Sequence, residues 1–286
     1  MTSRDDPSGA LLVRVGFELT YDVPYVAPLL FLVEPSDGPL QRVMSSRRLL
    51  PPDLPLDRFS TYRDAFGNLV WRVLAPTGSF RIGHDLVVRV PTAKDPVLPH
   101  LDKPSIEHIP DDAFVYTLPS RYCPSDLFMT MAWDLFGDLR SGWEQVQAIC
   151  DHLHLRVRYG VGSTASSDAL QTYEARVGVC RDFTHMAISF CRALNIPARY
   201  VGGYLPDLYI EPNDAPMDFH AWFEAYLGGA WRTFDARHNI PRAGRVKIGV
   251  GRDATDVAFS TSYGATRLQS MRVWADEYHD ASEQST

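Results

Sequence analysis

The chain has 286 residues, of which 45% are hydrophobic and 22% charged, and carries a formal net charge of −7. That balance belongs to a globular protein with ample core. The negative charge argues against a nucleic-acid or anionic-membrane partner, since both require a positive footprint. Protein, peptide and small-molecule substrates stay open. The first ten residues are polar and include Asp5 and Asp6, with no run resembling a signal peptide. The longest apolar stretches, such as 27–33, fall far short of a membrane span. Four cysteines, Cys123, Cys150, Cys180 and Cys191, show no C-x-x-C spacing. Reduced thiols and a cytoplasmic location are the expectation.

In chain order, the first ninety residues read as strands. Residues 11–20 alternate strictly through Val13, Val15, Phe17 and Leu19. Residues 27–33 form a short continuous apolar run suited to a buried strand. Strands are expected at 69–74, 79–82 and 86–90, with Gly67-Asn68 and Thr77-Gly78 as turn chemistry between them. Five prolines from Pro91 to Pro110 then mark a loop or linker. The expected organisation is a β-rich unit over 1–118 and a second unit over 119–286.

The second half is mixed. Residues 126–136 and 143–155 read as helices, the latter with Val146, Ile149, Cys150 and Leu153 on one side. A short helix over 167–175 follows, with Ser166 or Ser167 as its N-cap. The strongest helical signal covers 180–194, where Phe183, Met186, Ala187, Phe190, Cys191 and Leu194 form a buried stripe. Asn195 can close that helix in a left-handed conformation and Pro197 prevents its continuation. Strands at 198–204, 219–227 and 230–234 complete an α+β pattern.

Cys180 stands on the first turn of the strongest helix. A helix N-terminus carries partial positive charge and unpaired N–H groups. Both favour thiolate over thiol, and the same N–H groups can hold an oxyanion. Gly178 allows a tight turn and close approach of a substrate. Alone, the position fits a buried core thiol equally well.

The partner residues decide. With a period of two, His220, Trp222, Glu224 and Tyr226 share one face of their strand. Gly228-Gly229 supplies a two-residue hairpin turn. The register then sets Leu227 opposite Ala230, Tyr226 opposite Trp231 and Trp222 opposite Asp235. Asp235 becomes the diagonal neighbour of His220, roughly 7–8 Å away between backbones. A carboxylate there holds the imidazole in one tautomer and stabilises its charged form. A bulge in the hairpin would shift the pair apart.

Together these residues resemble the transglutaminase-like superfamily. Its signatures are a G-x-C helix start, an H-A-W strand and a W-x-x-x-D segment. They correspond to Gly178-Val179-Cys180, His220-Ala221-Trp222 and Trp231-Arg232-Thr233-Phe234-Asp235. The stretch from Ile196 to Tyr204 resembles the family's link from catalytic helix to first strand. Tyr62 to Asn68 is similar to the β-rich N-terminal region of the bacterial branch, and Gly251 to Val257 to its C-terminal segment. The chain departs from many relatives by Ala236-Arg237 after the aspartate where they carry Pro-Thr.

The resemblance implies a papain-like catalytic core, helices on an antiparallel sheet, preceded by an all-β domain. It also implies a Cys180–His220–Asp235 triad that cleaves an amide bond in a protein or peptide through a thioester. Acyl transfer to an amine is the alternative chemistry, and an inactive binding protein on the same fold the alternative class. No cofactor and no metal are implied. Tyr159 is a candidate second oxyanion donor on positional analogy and its O–H.

Other residues read as structural. His185, five residues on from Cys180, lies about 140° around the helix. A zinc site of Cys180, His220 and His185 lacks the usual short ligand spacing. Asp182 complements the helix dipole. Arg252, Asp253 and Asp256 could line the cleft, with a local ion-pair network favoured. Trp133, Met129 and Met131 read as core.

Overall fold

The computed structural model describes residues 9–211 and 216–279. The N-terminal residues 1–8, including Asp5 and Asp6, lie outside them. Six strands come first: β1 (Ala10–Val23), β2 (Ala27–Phe31), β3 (Arg42–Leu49), β4 (Phe59–Arg63), β5 (Leu69–Ala75) and β6 (Gly78–Pro91). In β1 the alternation works as expected, with Val13, Val15, Phe17 and Leu19 fully buried. The two strands expected at 79–82 and 86–90 are one. β6 runs straight through because His84 lies buried opposite Phe17 rather than in a turn.

The mixed half contains α1 (Met129–Phe136), α2 (Gly142–Arg156), β7 (Arg158–Tyr159), α3 (Ala169–Ala175), β8 (Val177–Gly178) and α4 (Cys180–Ala193). It continues through β9 (Ala198–Tyr204), β10 (His220–Leu227), β11 (Ala230–Phe234), β12 (Val246–Gly251), β13 (Ser260–Ser262) and β14 (Arg267–Glu277). The cap of α3 is Asp168, not a serine. Its carboxylate accepts from the Gln171 N–H at 2.9 Å, and the Gln171 side chain accepts from the Asp168 N–H at 3.1 Å. That reciprocal pairing satisfies two N–H groups at once, which a lone serine cannot do. Asn195 closes α4 at φ +60°, as its position before Pro197 predicts.

Strands β11-β10-β9-β12 form an antiparallel sheet against which α4 packs, so the core is α+β. The other sheets run β14-β1-β6-β3 and β13-β2-β5-β4. Strand pairing therefore crosses the boundary expected at residue 118. β14 pairs with β1 along its length, and β13 with β2. The apolar core is continuous from Leu11 to Ala275. No helix among the described residues is long and apolar enough to cross a membrane.

The outer edge of β12 is closed by side chains of the N-terminal half. The Gln41 amide donates to the Lys247 carbonyl at 2.8 Å and accepts from the Lys247 N–H at 2.7 Å. The Asn68 amide donates to the Val250 carbonyl and accepts from its N–H, both at 2.8 Å. A bulge between Lys247 and Gly249 turns both residues outward. Two amides thus imitate a neighbouring strand and remove the hazard of an open edge. Asn68 is itself buried and held by Asp64 at 2.9 Å, which gives the Tyr62–Asn68 segment a structural purpose.

Two predictions follow from this framework. Asn68→Ala orphans the N–H and carbonyl of the half-buried Val250 together and should cost about 2–4 kcal/mol, the penalty of leaving two backbone groups without partners. Urea denaturation checks this, and a loss below about 0.5 kcal/mol would contradict the bridging role. The second concerns acid. Burial lowers the pKa of His84 to about 4 and of His185 to about 3. Between those values and the ordinary histidine pKa of about 6.5, the unfolded chain binds protons that the folded one refuses. Stability therefore falls as pH drops through that window, by about 1.4 kcal/mol per pH unit for each histidine. Urea midpoints measured from pH 7 to 4.5 should show His84→Gln with the shallower slope; equal slopes would contradict it.

Candidate active site

The approach to α4 is rigid. β8 pairs in parallel with β7, Val179 is extended at φ −103° and ψ 179°, and Cys180 opens the helix. Asp182 is buried and does more than complement the dipole. Its carboxylate accepts from the Val179 N–H at 2.9 Å, from the Arg181 guanidinium at 3.0 Å and from the Ser163 hydroxyl. The strand before the helix and the loop before α3 are thereby fastened to its first turn. Gly178 is required for close packing rather than for a turn, because a Cβ there would lie 2.8 Å from both the Asp182 Cβ and the Thr172 Cγ2. Cys180 is partly accessible, whereas Cys123, Cys150 and Cys191 are buried. Burial pushes the thiols of all three upward, Cys123 to about 12.

The far end of α4 is pinned by Arg192. Its buried guanidinium donates to the carbonyls of Ala198, Leu118 and Arg252 at 2.9, 3.0 and 2.6 Å. The helix thus keeps its distance from β9 and from the segment around Arg252.

The hairpin after β10 turns as its sequence predicts. Gly228 and Gly229 adopt φ +57° and +78°, positive values at both central positions as a type I′ turn requires. Phe223 pairs with Phe234, so the next rung sets Trp222 beside Asp235. The His220 Nε2–H donates to the Asp235 Oδ2 at 2.8 Å, with the two residues only 7% and 6% exposed. Cys180 and His220 line the same cleft. Burial disfavours charge on His220, but the Asp235 carboxylate and its hydrogen bond, with the Cys180 thiol nearby, prevail and raise its pKa. Burial likewise opposes ionisation of Asp235, and His220 with Arg245 overcomes it, holding the carboxyl well below the usual range.

Arg245 escaped the sequence reading. It donates to Asp235 Oδ2 at 3.3 Å and to Asp95 at 3.0 Å, and lies 5.0 Å from the Trp222 ring. The N–H groups of Arg237 and His238 each donate to Asp235 Oδ1 at 3.2 Å. A buried carboxylate calls for several donors, but nothing local in the chain says which arginine answers. His238 stacks on His220 with ring centroids 5.0 Å apart. Burial lowers its pKa to about 3. His220, Asp235 and His238 bring potential ligand atoms within 4.8 Å of one another. Arg245 already occupies that carboxylate, and Arg237 and Arg242 lie 2.7 and 3.3 Å from the two His238 nitrogens, so the donor set suits ion pairing better than a cation.

Tyr159 lies on β7, paired with Gly178, 49% exposed, with the Arg237 guanidinium 3.9 Å from its ring centre. Its hydroxyl interacts electrostatically with Cys180, and burial raises its pKa against the pull of Arg237.

His185 stays apart from the thiol. Its Nε2 accepts from the Ala254 N–H at 3.1 Å, and its ring stacks on Tyr122 at 5.1 Å. Arg252 and Asp256 form a bidentate pair at 2.8 and 3.0 Å, while Asp253 accepts from the N–H of Tyr122 and Thr255. Trp133 and Met129 are not core: they are 44% and 46% exposed, because α1 buries only Ala132 and Phe136. The Trp133 indole instead donates to the Ala193 carbonyl at 3.1 Å, under Lys103.

A cleft of about 780 Å³ opens onto Cys180 and His220. Leu30, Leu32, Tyr62 and Val70 of the β-rich half line it together with Phe219, Val257 and Phe259.

The family model of the transglutaminase-like superfamily matches residues 132–236, the span that contains all three of these side chains. The solved structure of a candidate cysteine protease from Cytophaga hutchinsonii is 31% identical, with a TM-score of 0.85 over 95% of this chain and 92% of that one. An uncharacterised Mycobacterium leprae protein is 35% identical over 111 residues, which cover 36% of this chain and only 38% of that protein. An uncharacterised Mycobacterium bovis protein is 27% identical over 245 residues, 78% of this chain and 77% of the other. With the helix-borne cysteine, the histidine strand and the aspartate hairpin in the family's order, the chain belongs to the transglutaminase-like superfamily.

Proposed function

We propose that the chain is a cysteine peptidase or amidase in which Cys180, His220 and Asp235 act as a triad. The observation that carries this reading is the buried His220 ring, bonded through Nε2 to Asp235 and lining one cleft with the Cys180 thiol. With Nε2 engaged, Nδ1 is the nitrogen left to face sulfur. The thiolate attacks the amide carbonyl, forming a C–S bond. The Nδ1 proton passes to the leaving nitrogen as the C–N bond breaks. Water then attacks the thioester and gives its proton to His220, and the C–S bond breaks to release acid and thiolate.

The Cys180 N–H at the head of α4 is the first oxyanion donor in this reading, and Tyr159 the candidate second. An amine can resolve the same thioester. Hydrolysis is preferred because of the likeness to a candidate cysteine protease. An intact triad weighs against an inactive scaffold. The substrate is a protein or peptide, and the four free thiols suit a cytoplasmic location. Residues 1–118 make up the β-rich unit of the enzyme and residues 119–286 its catalytic unit, which lends β13 and β14 to the N-terminal sheets; the proposed chemistry calls for no metal or cofactor.

Activity on peptide amides, with products identified by mass, tests this. Cys180→Ala should reduce turnover to background. Asp235→Asn should lower kcat by about 10²–10⁴-fold, as expected for loss of a tautomer-fixing base partner. Full activity in either variant would sink the triad. Tyr159→Phe should lower kcat by about 10²-fold while KM holds, the usual effect of a lost oxyanion donor. An unchanged kcat would remove Tyr159 from that role.

A further inference from the structure

The cleft beside the thiol has two features that the triad does not use. The first is an aromatic seat. Phe219 and Phe259 stack at 5.5 Å, both only partly buried, and Phe219 is the residue next to His220. Phe219 is propped from behind by Phe17 at 6.0 Å and Tyr204 at 5.3 Å, so the seat is fixed. The Phe259 carbonyl accepts from the Leu32 N–H at 3.2 Å, which joins the seat to the Leu30–Leu32 wall. Apolar surface held open to water at this point gains most when a ligand covers it.

The second feature is charge. Among the described residues, Asp64, Asp218 and Asp256 line the cleft, and beyond His220 its one basic side chain is Arg181. That cation is spent on Asp182 and the Thr164 carbonyl, and Asp256 on Arg252. Asp64 Oδ1 accepts from the N–H groups of Phe66 and Asn68, and its Oδ2 from the Asn68 side-chain amide. Asp218 stands two residues before His220 in the cleft lining, exposed to solvent, with one carboxylate oxygen accepting from the Phe219 N–H at 2.7 Å. Among the described residues no cationic side chain is paired with it, so a cation in the cleft can reach it.

We propose that the cleft selects peptides pairing a bulky apolar side chain with a cationic one, the first seated on Phe219, Phe259 and Leu30, the second facing Asp218. This rests on Cys180 being the nucleophile. It also assigns the β-rich half a task, since its strands supply the wall that reads the substrate.

The test uses the full chain and dipeptidyl chloromethyl ketones, in both residue orders, with Cys180 labelling followed by mass spectrometry. The pairs are Phe with Lys, norleucine or Glu, and Gly with Lys. In the preferred order, Phe should label about tenfold or more faster than Gly, as burial of an aromatic side chain implies. Lys should exceed norleucine by about threefold, the range of a partly exposed ion pair, and Glu should be slowest. Asp218→Asn should bring the Lys-to-norleucine ratio to about one, and Leu30→Ser should shrink the Phe-to-Gly ratio, with iodoacetamide rates normalising each variant. Flat ratios in the parent chain, or a lysine preference that survives Asp218→Asn, would overturn the assignment while rapid iodoacetamide labelling left the nucleophile standing. Slow iodoacetamide labelling of Cys180 throughout would remove both.

Discussion

A carboxylate withdrawn from water must be met by donors, and Asp235 is where that demand organises the site. His220, Arg245 and the N–H groups of Arg237 and His238 all converge on it. The four donors come from three stretches: β10, the approach to β12 and the turn after β11. Removing one would leave a buried charge short of partners, which costs far more than an ordinary hydrogen bond contributes. The same carboxylate that orients the imidazole therefore also locks the local chain path. Arg245 carries the constraint outward to Asp95, so the proline-rich stretch is clamped to the site rather than being a slack tether.

The β-rich half enters the same account through β12. Gln41 and Asn68 dress the outer edge of that strand, and Leu32 packs where a side chain at Gly249 would clash at 2.7 Å. The last strands return to complete the N-terminal sheets, closing the chain on itself. A cleft wall built from β2, β4 and β5 is thus held in fixed relation to Cys180 by hydrogen bonds and by a continuous core. The fold and the proposed function share these contacts across residue 118.

What could be read from the chain alone was whatever repeats locally. The two-residue alternation of β1, the apolar stripe of α4 and the Gly228-Gly229 turn each specify their own geometry within a few residues. The hairpin register then carried the inference from His220 to Asp235 without any fold in hand. What could not be read depends on partners remote in sequence. β3 and β14 lack a strong apolar alternation, and much of both is exposed. Asn68 reaches Val250 across 182 positions, and Gln41 reaches Lys247 across 206. No periodicity announces such pairings. Trp133 failed for a related reason: aromatic content suggested burial, whereas the short α1 needs only one face covered.

The central claim is that the imidazole of His220 and the thiol of Cys180 work as one unit. Site-resolved alkylation by iodoacetamide as a function of pH tests it most directly, because all four cysteines report in one experiment. The account predicts that Cys180 alone reacts fast near neutral pH, that the three buried thiols lag far behind, and that His220→Ala abolishes the fast reaction. A Cys180 that reacts no faster than an ordinary exposed thiol, or one indifferent to His220→Ala, would contradict it.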